Sequence, residues 1–200
     1  MEILRIRGGN QLAGQVDVSG SKNAALPQFA AALLSEQETI LENVPDLSDI
    51  RFMAEIISHL GADITKIGPS SWKIQPKKIQ PDPPYELVRK MRASICLLGP
   101  LVARIKKAKV PMPGGCVIGH RPIDLHLHAL QEMGAEISLN QGIVEVDGSA
   151  MKAGNLFIGG RHGSTVTGTA NAIMAAVLTP GTTTLDGAAC EPEIVDLCAM

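Results

Sequence analysis

The stretch Pro122-Ile-Asp-Leu-His-Leu-His-Ala-Leu-Gln-Glu-Met-Gly-Ala-Glu-Ile-Ser-Leu139 places a helix start, a helix stop and a strand in direct succession. Asp124 is an acid where a cap or first-turn residue satisfies free backbone N–H groups and opposes the helix dipole. Gly134 stands where a helix ends in the left-handed conformation, which costs glycine least. The same grammar runs from Leu47-Ser-Asp49 to Leu60-Gly-Ala62, and starts again at Pro192-Glu-Ile-Val-Asp196. The three aspartates lie 75 and 72 residues apart, which marks a triplicated unit. Working outward, each copy is preceded by a small-residue helix: Asn23 to Leu34, Ser94 to Ala103 and Thr169 to Leu178. Thr39 to Leu41 and Thr182 to Leu185 read as short strands between the helices. The alternating runs Ala62 to Ile67, Ala135 to Leu139 and Gly142 to Val146 read as half-buried strands in hairpin-like pairs. The expected fold is therefore α/β (α+β), with repeats at about 22–90, 91–160 and 161–200. The third stops one turn into its second helix, so the chain reads as the front of a longer protein.

Composition supports a regular, many-turned fold. Of 200 residues, 45% are apolar and only 2% aromatic, so the core is aliphatic, and 20 Gly with 13 Pro supply the turns. A net charge of −2 lacks the basic excess of a nucleic-acid binder. No apolar run approaches the ~20 residues that span a bilayer, and no basic-apolar-small pattern opens the chain as an export signal. Cys96, Cys116, Cys190 and Cys198 are scattered, which fits reduced thiols in a cytoplasm better than disulfides or a zinc site.

Two loops carry candidate chemistry. In Pro113-Gly-Gly-Cys116-Val-Ile-Gly-His-Arg121-Pro122, the glycines free the backbone around a thiol, and Arg121 can hold an anion beside it and lower its pKa. The alternative is a Cys116 buried as a small hydrophobe in a turn. In Ser19-Gly-Ser-Lys22-Asn23-Ala-Ala25, a helix start with an ammonium can cradle an anion, although the spacing is not that of a nucleotide P-loop. A solvated surface Lys22 is the plain alternative. Arg92 holds the corresponding place in the second repeat and Thr165-Val-Thr-Gly-Thr169 in the third. Under a pseudo-threefold axis, these helix starts point at one centre. His126 and His128 are two apart on a helix and do not share a face, so they read as partly exposed rather than metal ligands. Arg104 to Lys109 reads as a solvated helix end.

Four motifs together resemble those of the UDP-N-acetylglucosamine 1-carboxyvinyltransferases, a branch of the enolpyruvyl transferase family. They are Ser19-Gly-Ser-Lys-Asn-Ala-Ala-Leu-Pro27, Met91-Arg-Ala-Ser-Ile95 with Leu98-Gly-Pro-Leu-Val-Ala-Arg104, Pro113 through His126, and Glu191-Pro-Glu-Ile-Val-Asp196. The resemblance implies an inside-out α/β barrel of repeated strand-helix units with pseudo-threefold symmetry. It also implies a second domain after this one, and strands within residues 1–21 that pack on that domain. The implied reaction moves the enolpyruvyl group of phosphoenolpyruvate to the 3-hydroxyl of UDP-N-acetylglucosamine, releasing phosphate, in peptidoglycan precursor synthesis.

By resemblance, Cys116 is the general acid and can form a covalent adduct with phosphoenolpyruvate. Lys22 and Arg121 neutralise phosphate and carboxylate charge, and Asn23 helps place phosphoenolpyruvate. Arg92, Arg121, Pro122, Ile123, Asp124 and Leu125, with Gly163, Ser164, Thr165 and Val166, hold the UDP-sugar. No metal or organic cofactor is implied, and no nucleic-acid or membrane partner. Cys96 departs from the tryptophan of many members, and His120 from a small residue. Two alternatives stand beside this reading: a noncatalytic UDP-sugar-binding or interaction module, and a 3-phosphoshikimate-type enolpyruvyl transferase.

Overall fold

The computed structural model describes residues 3–114, 122–161 and 163–200. In the first repeat, α1 (Lys22–Ala31) tightens into a 3-10 turn at Ala32–Leu34 and leads to β1 (Thr39–Leu41). There follow α2 (Ser48–His59), β2 (Ala62–Lys66), β3 (Trp72–Pro76) and the single turn α3 (Tyr85–Val88). The second repeat opens with a 3-10 helix, Arg92–Leu97, running into α4 (Leu98–Ile105). It continues through β4 (Lys107–Pro111), α5 (Asp124–Glu132), β5 (Glu136–Asn140) and β6 (Ile143–Asp147). Two short strands, β7 (Asn155–Phe157) and β8 (Gly159–Gly160), lead to the third repeat. This comprises β9 (Gly163–Ser164), α6 (Val166–Val177), β10 (Thr184–Asp186) and α7 (Pro192–Ala199).

The repeat predicted from three aspartates is visible in the sheets. Antiparallel β1-β3-β2 and β4-β6-β5 have the same order, each built from the strand between two helices and the hairpin after the second. Their alternation buries Ile74 in one and Val144 and Val146 in the other, the period-2 pattern of a sheet with one wet face. In the third repeat, β10 pairs in parallel with β7, Leu185 opposite Leu156.

Inside the sheets, α1, α4 and α6 pack together as the apolar centre, with α2 and α7 on α1 and α5 on α6. Small residues let these helices approach closely. A Cβ on Gly99 of α4 would lie 2.5 Å from the backbone oxygen of Asn171 on α6. Phe29 meets Trp72 edge-on at 5.7 Å, and Leu33, Met53, Ile57, Leu98 and Leu101 are fully enclosed. Each such aliphatic side chain contributes roughly 1.5–3 kcal/mol by leaving water.

Several local expectations change. The helix expected at Ser94 to Ala103 is 3-10 before Leu98, because Pro100 offers no N–H to Cys96 and its ring crowds that carbonyl. Asp196 is not a first-turn acid: α7 begins at Pro192 and Glu193 takes that place, while Asp196 accepts from Gln28 Nε2 at 2.9 Å. The basic run is not a helix end throughout. Lys106 closes α4 in the left-handed conformation, and Lys107 and Lys109 belong to β4. Arg104 donates to the carbonyls of Leu33 and Ser35, closing the carbonyl end of the first repeat's inner helix. Residues 3–20 form neither helix nor strand, and nearly all are exposed.

Candidate active site

The inner helix starts hold the candidate residues. At α1, the Ser21 hydroxyl accepts from the N–H of Ala24 at 3.3 Å, capping a helix whose first residue is Lys22. Gly20 is required there, because a Cβ would overlap the carbonyl oxygen of Asn43. The Lys22 ammonium meets the Asp49 carboxylate at 2.9 Å, and both side chains remain partly open to solvent. Asn23 is exposed beside it. The first acid of the repeat series thus serves both the α2 dipole and the candidate anion ligand.

At the second start, half-buried Arg92 donates from Nη2 to the carbonyl of Pro122 at 3.1 Å. That bond ties the 3-10 helix to the turn before α5. Ile123 is buried at the cap position, Asp124 is exposed in the first turn, and Leu125 is half-buried over Gly160. A Cβ on Gly160 would come within 2.8 Å of Leu125 Cδ1, so β8 passes close beneath that side chain. Through this contact the Pro122 to Leu125 turn meets the hairpin of β8 and β9.

At the third start, Gly163 and Ser164 form exposed β9, and Thr165 caps α6 by accepting from Gly168 N–H at 3.2 Å. Val166 is the first helical residue and is half-buried. Gly163 has φ +95, a left-handed turn that suits glycine. The structure therefore brings Arg92, Pro122 to Leu125 and Gly163 to Val166 into one neighbourhood. Lys22 and Asn23 lie on α1, which packs against the 3-10 helix that Arg92 begins.

Cys116 and Arg121 lie outside the described residues. The strand leading toward them is placed: Met112 N–H donates to Gly142 O at 2.7 Å, and Gly114 lies so close to the Arg89 carbonyl that a Cβ would overlap it. Gly114 thus runs beside the turn that closes α3, three residues before Arg92. Of the other cysteines, Cys96 is buried and its thiol is pushed up to about 12 by desolvation, against the opposing pull of Arg92. Cys190 and Cys198 are exposed.

A polar network that the sequence reading missed joins two repeats. His126, expected to be partly exposed, is 2% exposed. Asn171 Nδ2 donates to its Nδ1 at 2.8 Å, and Thr167 Oγ1 lies 3.2 Å from its Nε2. Burial first, then Arg92, pushes the imidazole down to about 4 from 6.5, against Asp124. It is thus neutral at physiological pH. The available signal was Thr167 and Asn171 four apart on an otherwise small and apolar helix, hence on one face. His128 is exposed on the other side, so the two histidines diverge.

A family model described as EPSP synthase (3-phosphoshikimate 1-carboxyvinyltransferase) matches residues 6–200. A UDP-N-acetylglucosamine 1-carboxyvinyltransferase of Methylacidiphilum infernorum (isolate V4) is 51% identical over 98% of this chain and 47% of its own length. The enzyme of that name from Akkermansia muciniphila is 46% identical over 98% of this chain and 46% of its own length. Among solved structures, the enolpyruvyl transferase NikO from Streptomyces tendae superposes with TM-score 0.80 at 23% identity, covering 96% of this chain and 45% of that one. EPSP synthase from Acinetobacter baumannii gives 0.70 at 16% identity, over 91% and 42%. These two likenesses establish the shared inside-out α/β fold. The chain spans about half the length of the curated relatives it matches. With its triplicated helix-and-sheet unit and a family match across nearly every residue, the chain belongs to the EPSP synthase (3-phosphoshikimate 1-carboxyvinyltransferase) family.

Proposed function

We propose that the protein transfers the enolpyruvyl group of phosphoenolpyruvate to the 3-hydroxyl of UDP-N-acetylglucosamine, releasing phosphate. The observation that carries this reading is 51% identity across 98% of the chain with a relative of that name. The acceptor hydroxyl loses its proton to a general base as its oxygen attacks C2 of phosphoenolpyruvate, and a general acid delivers a proton to C3, giving a tetrahedral ketal. Loss of a proton from C3 then expels phosphate and restores the double bond. Such chemistry needs an acid of suitable pKa and cations placed where phosphate and carboxylate charge sits.

The residues take their roles from this requirement. Cys116 supplies the proton and can be captured as an adduct, with Arg121 holding charge beside it. Lys22 exchanges its Asp49 partner for phosphate, and Asn23 hydrogen-bonds phosphoenolpyruvate. Arg92, the Pro122-Ile123-Asp124-Leu125 turn and the Gly163-Ser164-Thr165-Val166 turn hold the UDP-sugar. A second domain closes the site, and the exposed Ile3, Leu4, Ile6, Leu12, Val16 and Val18 supply strands to it. The reaction belongs to peptidoglycan precursor synthesis in the cytoplasm.

The test is UDP-N-acetylglucosamine-dependent phosphate release from phosphoenolpyruvate by the full-length protein. Cys116→Ser removes most turnover and leaves UDP-sugar binding within about twofold, whereas Cys116→Asp keeps measurable turnover because a carboxylic acid also protonates carbon. Full turnover in Cys116→Ser excludes the thiol as the acid. The acceptor 3-phosphoshikimate is favoured only by the description of the matching family model.

A further inference from the structure

The His126 network lies at the start of α6, yet the chemistry above gives it no part. Its proton positions follow from the backbone. Asn171 Oδ1 accepts from Gly99 N–H at 2.8 Å, and Nδ2 donates to the Ile95 carbonyl at 2.9 Å, so the amide has one orientation. The same Nδ2 faces His126 Nδ1 at 2.8 Å, which makes Nδ1 the acceptor. In a neutral ring the remaining proton is then on Nε2. Nε2–H faces Thr167 Oγ1 at 3.2 Å. A hydroxyl that accepts there keeps its own proton for another partner. Thr167 is the second residue of α6, half-buried, and directly follows the Thr165-Val166 pair assigned to the UDP-sugar.

We propose that His126 is a positioning residue for the UDP-sugar: as an Nε2–H donor held by Asn171, it turns the Thr167 hydroxyl outward to donate to the ligand's diphosphate. The proposal rests on the reading of Gly163 to Val166 as part of the UDP-sugar site, and adds Thr167 to that set. Asn171 belongs to α6 and His126 to α5, so the device also couples the second repeat to the third. A side chain present only to fill the core would not need this chain of donors.

The test measures the dissociation constant of UDP-N-acetylglucosamine for the full-length protein and its variants. Thr167→Val weakens binding about tenfold, the scale of a hydrogen bond to a charged group. His126→Phe weakens it about fivefold, and the double variant binds no more weakly than Thr167→Val alone. His126→Gln, which keeps both an acceptor for Asn171 and an N–H for Thr167, stays within about twofold of wild type. Nitrogen-15 spectra of the histidine rings show a protonated Nε2 and a bare Nδ1 at His126, a reading that stands even if His126→Phe fails to fold. Losses that multiply in the double variant, an unweakened His126→Phe, or a protonated Nδ1 overturn the proposal while leaving the proposed function intact. Absence of UDP-sugar binding by the wild-type protein overturns the functional reading, and the proposal with it.

Discussion

Lys22 and Asp49 show how one side chain serves fold and chemistry together. Their 2.9 Å pair is partly exposed, so its net worth is on the order of 0–1 kcal/mol. In the proposed role of Lys22, an incoming phosphate would compete with Asp49 for the ammonium at little cost. Asp49→Asn therefore tightens phosphoenolpyruvate binding by about two- to fivefold, measured by titration calorimetry on the full-length protein; unchanged affinity contradicts the competition. His126 gives a second residue-level expectation. Its folded pKa of about 4 lies below the ordinary 6.5, so the unfolded chain takes up the proton first as pH falls. The stabilisation is complete above pH 6.5, falls between 6.5 and 4, and is constant below. At about 1.4 kcal/mol per pH unit, the loss is roughly 3–4 kcal/mol. Denaturant unfolding across this range detects it as a pH slope that His126→Gln removes. The sequence made Lys22, Arg92 and the Thr165 turn legible, since a charge or hydroxyl at a small-residue helix start is a local pattern. His126 was not legible, because its partners Thr167 and Asn171 come from the next repeat.

At the scale of elements, glycine and proline decide where helices stop, tighten or touch. Gly99 permits the contact of α4 with α6 and donates its N–H to Asn171. Gly99→Ala pushes the two helices apart and costs roughly 1–3 kcal/mol as overpacking. Urea unfolding of Gly99→Ala against wild type checks this, and an unchanged midpoint contradicts the close packing. The inner helices, the first strand and the two hairpins follow from periodicity and turn residues, which act within a few positions. Asp196 shows the limit of that reasoning. Sequence spacing aligned it with Asp49 and Asp124, but Pro192 starts α7 earlier and turns Asp196 toward Gln28 on α1. Arg104 likewise looked like a solvated charge until the fold brought the Leu33 and Ser35 carbonyls to it.

At the scale of the molecule, the triplicated unit explains why small residues dominate the centre and why three helix starts gather the candidate ligands. The repeat was readable where two copies solve the same problem: Asp49 and Asp124 each lie in a helix's first turn, and each helix is followed by a hairpin. Cys116 and Arg121 enter only through the motif they share with the family, since they lie outside the described residues. Ile3, Leu4, Ile6, Leu12, Val16 and Val18 are each at least 87% exposed, an apolar series that a second domain would cover. Hydrogen exchange of the full-length protein is expected to show these residues protected. The central claim concerns the acceptor. Phosphate release from phosphoenolpyruvate by the full-length protein, measured in parallel with UDP-N-acetylglucosamine and with 3-phosphoshikimate, tests it most directly. The account predicts turnover with the nucleotide sugar and none with 3-phosphoshikimate, and turnover with 3-phosphoshikimate alone, or with neither, contradicts it.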